Sequence, residues 1–287
     1  MLVSSKELLD KAKKGGYAVG AFNAPTLEVI KAILEAAKEK KSPIIIETSE
    51  GEINFIKPEV VARIVKTLAE ESEIPVALHL DHGQSLEMIK KAIEAGYTSV
   101  HIDGSNLPFE ENVKITKEVV NYAHRKRIPV EGELGHILGH SEKHHGKIDA
   151  GKLDLTDPNQ AEEFVKKTGI DFLAPSVGNS HGIYMDEPQL DFNRLKAISE
   201  IGIPISLHGG SGIPKGQIKK AISLGVAKIN VNTELRVAYS EGLREELSEK
   251  PDEIVPYKFL PKVISRVKNV VKEKIEMFGS KDKAKSK

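Results

Sequence analysis

The chain has 287 residues, with 42 basic and 42 acidic side chains and a formal net charge of +0. No global field draws it to nucleic acid or to an anionic membrane. It has no cysteine, which excludes disulfides and thiolate metal sites and leaves histidine and carboxylate as metal ligands.

The opening residues, MLVSSKELLDKAKKGG, read as a helix rather than a signal peptide. No apolar run approaches the roughly 18 residues of a membrane span, so a soluble, cytoplasmic protein is expected. After that helix, short apolar runs rich in Val and Ile alternate with helical patterns. They are YAVGAFN (17–23), PIIIETS (43–49), PVALHLD (75–81) and TSVHIDG (98–104), then PVEGELG (129–135), DFLAPSV (171–177), PISLHGG (204–210) and VAKINVN (226–232). Stretches between them, such as TLEVIKAILEAAKEKK and FEENVKITKEVVNYAHRKR, repeat apolar residues every three or four positions, the helix period. Strand–helix alternation repeated eight times predicts an α/β protein, a (β/α)8 TIM barrel. The alternative is an open doubly wound sheet. It usually shows G-x-G-x-x-G after the first strand, and FNAPTLEV is not that.

The predicted barrel is one domain over 1–279, with extra C-terminal helices beyond the eighth strand and a flexible tail over 280–287. One break interrupts the rhythm. Residues 135–156, GHILGHSEKHHGKIDAGKLDLT, have no clean period. A loop of that length in a compact barrel predicts a mobile lid or binding loop.

Barrel enzymes place their sites at the C-terminal ends of the strands. Those ends carry Asn23, Ser49, Asp81 with His82, Asp103, Glu133, His181, His208 and Asn230. Period two puts His79, His101 and Glu131 one layer deeper, where they are expected to satisfy one another. Three strand-end histidines, His82, His181 and His208, each precede a glycine that lets backbone and ligand approach closely. Three imidazoles converging with an open fourth position form the catalytic zinc arrangement. The loop histidines His136, His140, His144 and His145 read as solvated, and His124 as a helix C-terminal residue. HGGSGIPKGQIKKA and INVNTELRVA each lead from a strand through a turn into a helix, where backbone N–H groups bind phosphate.

Taken together, LHLDHG, VEGELG, NSHGIY, LHGGSGIP and KINVNTE resemble the class II, zinc-dependent fructose-bisphosphate aldolases, a family that includes the tagatose-bisphosphate aldolases. The resemblance implies a zinc ion held by His82, His181 and His208, with Asp81 as acid/base. It implies that Asp103 and Glu133 back the metal or bind an additional divalent or monovalent cation. It implies that Gly182, Gly209, Gly210, Ser211 and the run Asn230, Val231, Asn232 and Thr233 hold dihydroxyacetone phosphate. Asn23 and Ser49 would touch substrate. Glu142 would move the proton at the dihydroxyacetone carbon. Fructose 1,6-bisphosphate is the implied substrate, in glycolysis and gluconeogenesis, and a homodimer or homotetramer the implied assembly.

Two positions depart from the family pattern. Lys143 follows Glu142 where an acid is common, and the C-terminal PYKFLPKVISRVK offers Tyr257, Lys262 and Arg266 out of step with the arginine that reaches the distal phosphate. Tagatose 1,6-bisphosphate remains a rival substrate. A metal-dependent hydrolase is disfavoured because VGAFN lacks the His-x-His usual on the first strand of such barrels. A non-catalytic sugar-phosphate binder would need no histidine triad. A Schiff-base aldolase would need a lysine such as Lys228 to be a free amine.

Overall fold

The computed structural model describes residues 2–137, 143–144, 154–184 and 188–284. Ten strands occur among them. They are β1 (Val19–Asn23), β2 (Ile44–Ser49), β3 (Val76–Gly83), β4 (Ser99–Ile102), β5 (Val130–Leu134), β6 (Lys143–His144), β7 (Phe172–Pro175), β8 (Ile183–Tyr184), β9 (Ile205–Leu207) and β10 (Val226–Val231). Eight close a barrel in the order β1-β10-β9-β7-β5-β4-β3-β2, every pairing parallel. All eight predicted strands are present. The short strands β6 and β8 pair with each other outside the barrel.

Nearly every barrel-strand residue is buried, because one face meets the interior and the other meets helices. The helices begin where the chain supplies caps. Thr26 accepts from Val29 N ahead of α2 (Leu27–Lys40), and Ser85 accepts from Met88 N ahead of α5 (Leu86–Ala95). The extra C-terminal helices are α10 (Thr233–Glu249) and α11 (Pro256–Met277). Val263, Val267, Val271 and Ile275 bury one stripe of α11 at helical spacing. Each such side chain contributes about 1.5–3 kcal/mol on burial. Residues 280–284, read as part of a frayed tail, stay attached to α2. Asp282 N donates to Lys40 O at 3.0 Å and Ala284 N to Lys41 O at 2.9 Å. No helix among the described residues is long and apolar enough to cross a membrane.

The barrel interior is layered. At the N-terminal end Val19, Ala21, Ile45, Ala77, Phe172 and Ala227 pack beneath Leu8, Leu9 and Ala12 of α1 (Ser5–Gly15), which plugs that mouth. Above them the interior turns polar, with Glu47, His79, His101, Glu131, Ser206 and Lys228 fully buried. The strand ends above this layer open into a pocket.

Candidate active site

Consecutive strand residues face opposite sides of a sheet, yet Asp81 and His82 both line the pocket. A bulge in β3 makes this possible. The register with β4 shifts between Leu80 and Gly83, and His82 takes the left-handed conformation with φ 49°. Such a backbone costs about 1–3 kcal/mol and persists only where its surroundings hold it. Here His82 N donates to His101 Nδ1 at 3.1 Å. Gly83 completes the bend: a Cβ there would lie 2.8 Å from His101 O.

The rings of the three expected metal-binding histidines lie near one another, although the ligand atoms within 4.8 Å of one another belong to Asp81, His82, His101 and His208. Ring centroids lie 4.7 Å apart for His82 and His208, 4.9 Å for His82 and His181, and 6.0 Å for His181 and His208. His82 Nδ1 contacts Asp103 Oδ2 at 2.7 Å, and His208 Nε2 contacts Glu131 Oε1 at 2.8 Å. Each carboxylate takes the N–H of the ring nitrogen it faces and so fixes the tautomer. The inner nitrogens, His82 Nε2 and His208 Nδ1, then face each other at 3.0 Å. Two neutral rings would oppose lone pair to lone pair. A proton between them, or a cation, resolves the conflict.

The electrostatics agree. Burial disfavours charge on His82, but Asp81, the Asp103 hydrogen bond and Glu133 outweigh it and raise its pKa to about 10. His181 is lowered to about 3 by burial and by His82 and His208, so it is neutral and able to donate a lone pair. Glu133 Oε2 is buried without a hydrogen-bond partner, at 3.7 Å from His82 Nδ1 and 3.9 Å from His208 Nδ1. Burial and the Asp103 charge push this carboxyl well above its usual range. Facing imidazole nitrogens, an orphaned buried oxygen and an all-N/O donor set fit a divalent cation.

Asp81 is held on both oxygens. Asn230 Nδ2 donates to Oδ1 at 3.1 Å and Asn23 Nδ2 to Oδ2 at 3.2 Å. Both amides line the pocket, as expected of substrate contacts, and both also orient the carboxylate. Burial would raise the Asp81 pKa, but the charges of His82, His208 and Lys228 pull it well below the ordinary carboxylate range. Asp81 is therefore ionised at neutral pH and able to accept a proton.

Lys228 resolves the Schiff-base alternative. A second register shift, between Val226 and Lys228, brings the ammonium inside. It donates to Asn230 Oδ1 at 2.6 Å and pairs with Glu131 at 3.0 Å and Glu47 at 3.4 Å. Burial opposes its charge, but Glu131, Glu47 and Asp81 raise its pKa above the ordinary lysine value. A lysine so held is no nucleophile. Breaking a buried ion pair costs about 3–5 kcal/mol, so Lys228→Met is expected to lose that much in urea unfolding. A loss below about 1 kcal/mol would show that the three carboxylates do not depend on it.

The deeper layer departs from expectation in one respect. His79 Nε2 lies 3.1 Å from Glu131 Oε2, as anticipated. His101 instead supports the backbone of His82 and lies 3.6 Å from Glu133.

Of the predicted phosphate residues, Gly182, Gly209, Ser211, Asn230, Asn232 and Thr233 line the pocket, as does Ser49. Gly210 and Val231 do not: the Gly210 N–H donates to Asn230 O at 2.9 Å, and Val231 is fully buried in the core. Gly209 sits at φ 63°, where a Cβ would meet Ser180 O. The pocket also takes Gln84, Asn106 and Arg236, none of which sequence reasoning assigned to the site, and His136 and Ile137 from the start of the expected loop. His136, read as solvated, is half-buried against Ser105. His124 ends α6 (Phe109–Arg125) and contacts Asp171 at 2.8 Å. Glu142 lies outside the described residues. Tyr257 is exposed, Lys262 pairs with Glu246 and Glu249, and Arg266 with Glu245. Arg236, on the first turn of α10, could have been found by following NVNTE one helical turn further.

Residues 3–283 match the family described as fructose-bisphosphate aldolase class-II. The fructose-bisphosphate aldolase of Geobacillus stearothermophilus is 48% identical over 287 residues, covering 99% of each chain. A probable fructose-bisphosphate aldolase of Bacillus subtilis (strain 168) is 47% identical, with the same coverage. Among solved structures, the YdjI aldolase of Escherichia coli K12 superposes with a TM-score of 0.87 at 38% identity, covering 99% of this chain and 100% of that one.

Proposed function

The chain belongs to the class II fructose-bisphosphate aldolases, and from that premise we propose that it reversibly cleaves fructose 1,6-bisphosphate to dihydroxyacetone phosphate and glyceraldehyde 3-phosphate, in glycolysis and gluconeogenesis. The observation that carries this reading is the meeting of His82 and His208 nitrogens, 3.0 Å apart, beside the doubly clamped carboxylate of Asp81.

His82, His181 and His208 would hold one zinc ion. Asp103 and Glu133 are close enough to back it or to hold an additional cation. Bound there, the ion supplies Lewis-acid polarisation of the ketose carbonyl and its neighbouring hydroxyl. Asp81, ionised and fixed by two amides, accepts the C4 hydroxyl proton as the C3–C4 bond breaks. In the condensation direction it returns that proton to the aldehyde oxygen. Backbone N–H groups around Gly182, Gly209 and Ser211 and at the start of α10 favour the first phosphate, since a helix N-terminus carries positive potential. Arg236, on the first turn of α10, also lines the pocket and could meet an anionic group of the substrate. Glu142, assigned by the resemblance, would exchange the proton at the dihydroxyacetone carbon. The family likeness also favours a homodimer or homotetramer working in the cytoplasm.

The test is a cleavage assay on fructose and tagatose 1,6-bisphosphates with and without a chelator. Cleavage of the fructose epimer, lost with chelator and restored by zinc, is the expected result. Chelator-resistant cleavage, or none of the fructose epimer, would sink the reading.

Metal affinity should follow pH with a definite sign. In the metal-free chain the His82 proton, with a pKa raised to about 10, stabilises the fold fully below the ordinary histidine value of about 6.5 and progressively less as pH rises through its folded value. Metal binding must displace that proton. At fixed free metal, affinity is therefore expected to rise about tenfold per pH unit from about 7 to 9, measured by chelator competition. A flat profile would remove the proton from the His82–His208 contact.

A further inference from the structure

Two charged side chains that do not line the pocket meet beside the turn proposed to hold the first phosphate. Glu234 stands on the first turn of α10, next to the pocket residue Thr233. Its backbone N–H donates to Ser211 Oγ at 3.4 Å, and its Oε1 accepts from Gly212 N at 3.3 Å. The turn after β9 and the start of α10 are thus laced in both directions. Oε2 of the same carboxylate is shut off from water and lies 2.5 Å from Lys274 Nζ. Lys274 belongs to α11 and is only 5% exposed. Among the described residues Glu234 is the only ionic partner of that ammonium.

A carboxylate is an unexpected neighbour for an anion site. Backbone N–H groups at the turn and at the start of α10 attract phosphate through their positive potential. A phosphate monoester carries about −1.5 to −2 charge at neutral pH, so an uncompensated Glu234 would oppose its binding. A buried ammonium, for its part, is unfavourable unless it is paired. The contact between them answers both difficulties. Glu234 can serve as the acceptor for Gly212 N while presenting little net charge, because the ammonium sits directly against it. Resting on the aldolase reading, we propose that Glu234 and Lys274 complete the first-phosphate site from behind: Glu234 is a positioning residue that fixes the Ser211–Gly212 turn, and Lys274 cancels the charge that would otherwise repel the phosphate. The last helix then contributes to substrate affinity as well as to packing.

The experiment measures dihydroxyacetone phosphate affinity by titration calorimetry, and steady-state kcat and KM for fructose 1,6-bisphosphate, on zinc-loaded enzyme. Lys274→Met leaves Glu234 uncompensated. Kd and KM should each rise about tenfold while kcat stays within about twofold, because the phosphate contact is made in ground state and transition state alike. Two double variants leave no buried charge unpaired. Glu234→Gln/Lys274→Met keeps an acceptor for Gly212 N and should bind within about threefold of wild type, whereas Glu234→Leu/Lys274→Met lacks one and should bind about tenfold more weakly. A Kd for Lys274→Met within about twofold of wild type overturns the proposal. So does a Gln double variant as weak as Lys274→Met, since the loss would then come from the packing of α11. Equal affinity of the two double variants would remove Glu234 as a positioning residue, and this contrast decides the matter even if Lys274→Met alone fails to fold. A wild-type holoenzyme that binds no dihydroxyacetone phosphate would instead sink the aldolase reading, and the proposal with it.

Discussion

His208→Ala abolishes metal binding and takes the activity with it, the largest effect expected of any single substitution here. His208 is fully buried and joins the pocket to the interior: Nδ1 faces His82 while Nε2 engages Glu131. Truncation removes one donor nitrogen and frees the carboxylate that fixed it, so the remaining rings no longer form a three-nitrogen face. Metal per chain, measured by elemental analysis after dialysis at neutral pH, should fall below about a tenth of an equivalent. The barrel should persist, because eight strands and their helices are held by the apolar core rather than by this cluster. Circular dichroism should therefore keep its α/β shape. His181→Ala makes a useful companion, since His181 is only half-buried. If His208→Ala retained full metal occupancy, the triad would be wrong.

Asp81→Ala should lower kcat by about 10²–10⁴-fold, the usual worth of a general acid/base, while metal content and phosphate binding stay near wild type. Two features make the kinetic effect separable. The carboxylate lies 3.8 Å from His82 Nε2 and hydrogen-bonds two amides rather than an imidazole. Its two amide donors, Asn23 and Asn230, remain in place through their bonds to Glu52 and Lys228. Leaving those donors short of an acceptor costs about 1–3 kcal/mol, visible as a lower melting temperature but not as metal loss. Steady-state kinetics with saturating zinc gives the result. A kcat within about threefold of wild type would remove Asp81 from the chemistry.

How far these expectations could be read from the chain differs from residue to residue. The eight strands were legible because a parallel strand buried on both faces is a run of Val and Ile, and the runs alternate with helical periodicity. The strand-end histidines were legible because each stands next to a glycine where an apolar run stops. Period two also separated Asp81 from His79 and Asp103 from His101 correctly in depth.

Barrel closure decided the rest. Strict alternation would turn His82 away from the pocket that Asp81 faces. Only the bulge against β4 and the left-handed backbone at His82 bring both inward, and a bulge is a relation between two strands. Lys228 reads as an ordinary strand residue until the shift against β9 turns its ammonium toward Glu47 and Glu131. Gly210 and Val231 fit the phosphate motif by letter, but the hydrogen bond to Asn230 and the packing of the core take them out of the pocket. Glu52 and Arg236 lie 184 positions apart, so no local pattern could pair them. The sequence by itself therefore determined the period, the caps and the chemical inventory at each strand end, all of which depend on neighbours within a helical turn. Which of those groups meet in space was decided only when the sheet closed, because electrostatic pairing depends on distance in space and burial rather than on order along the chain.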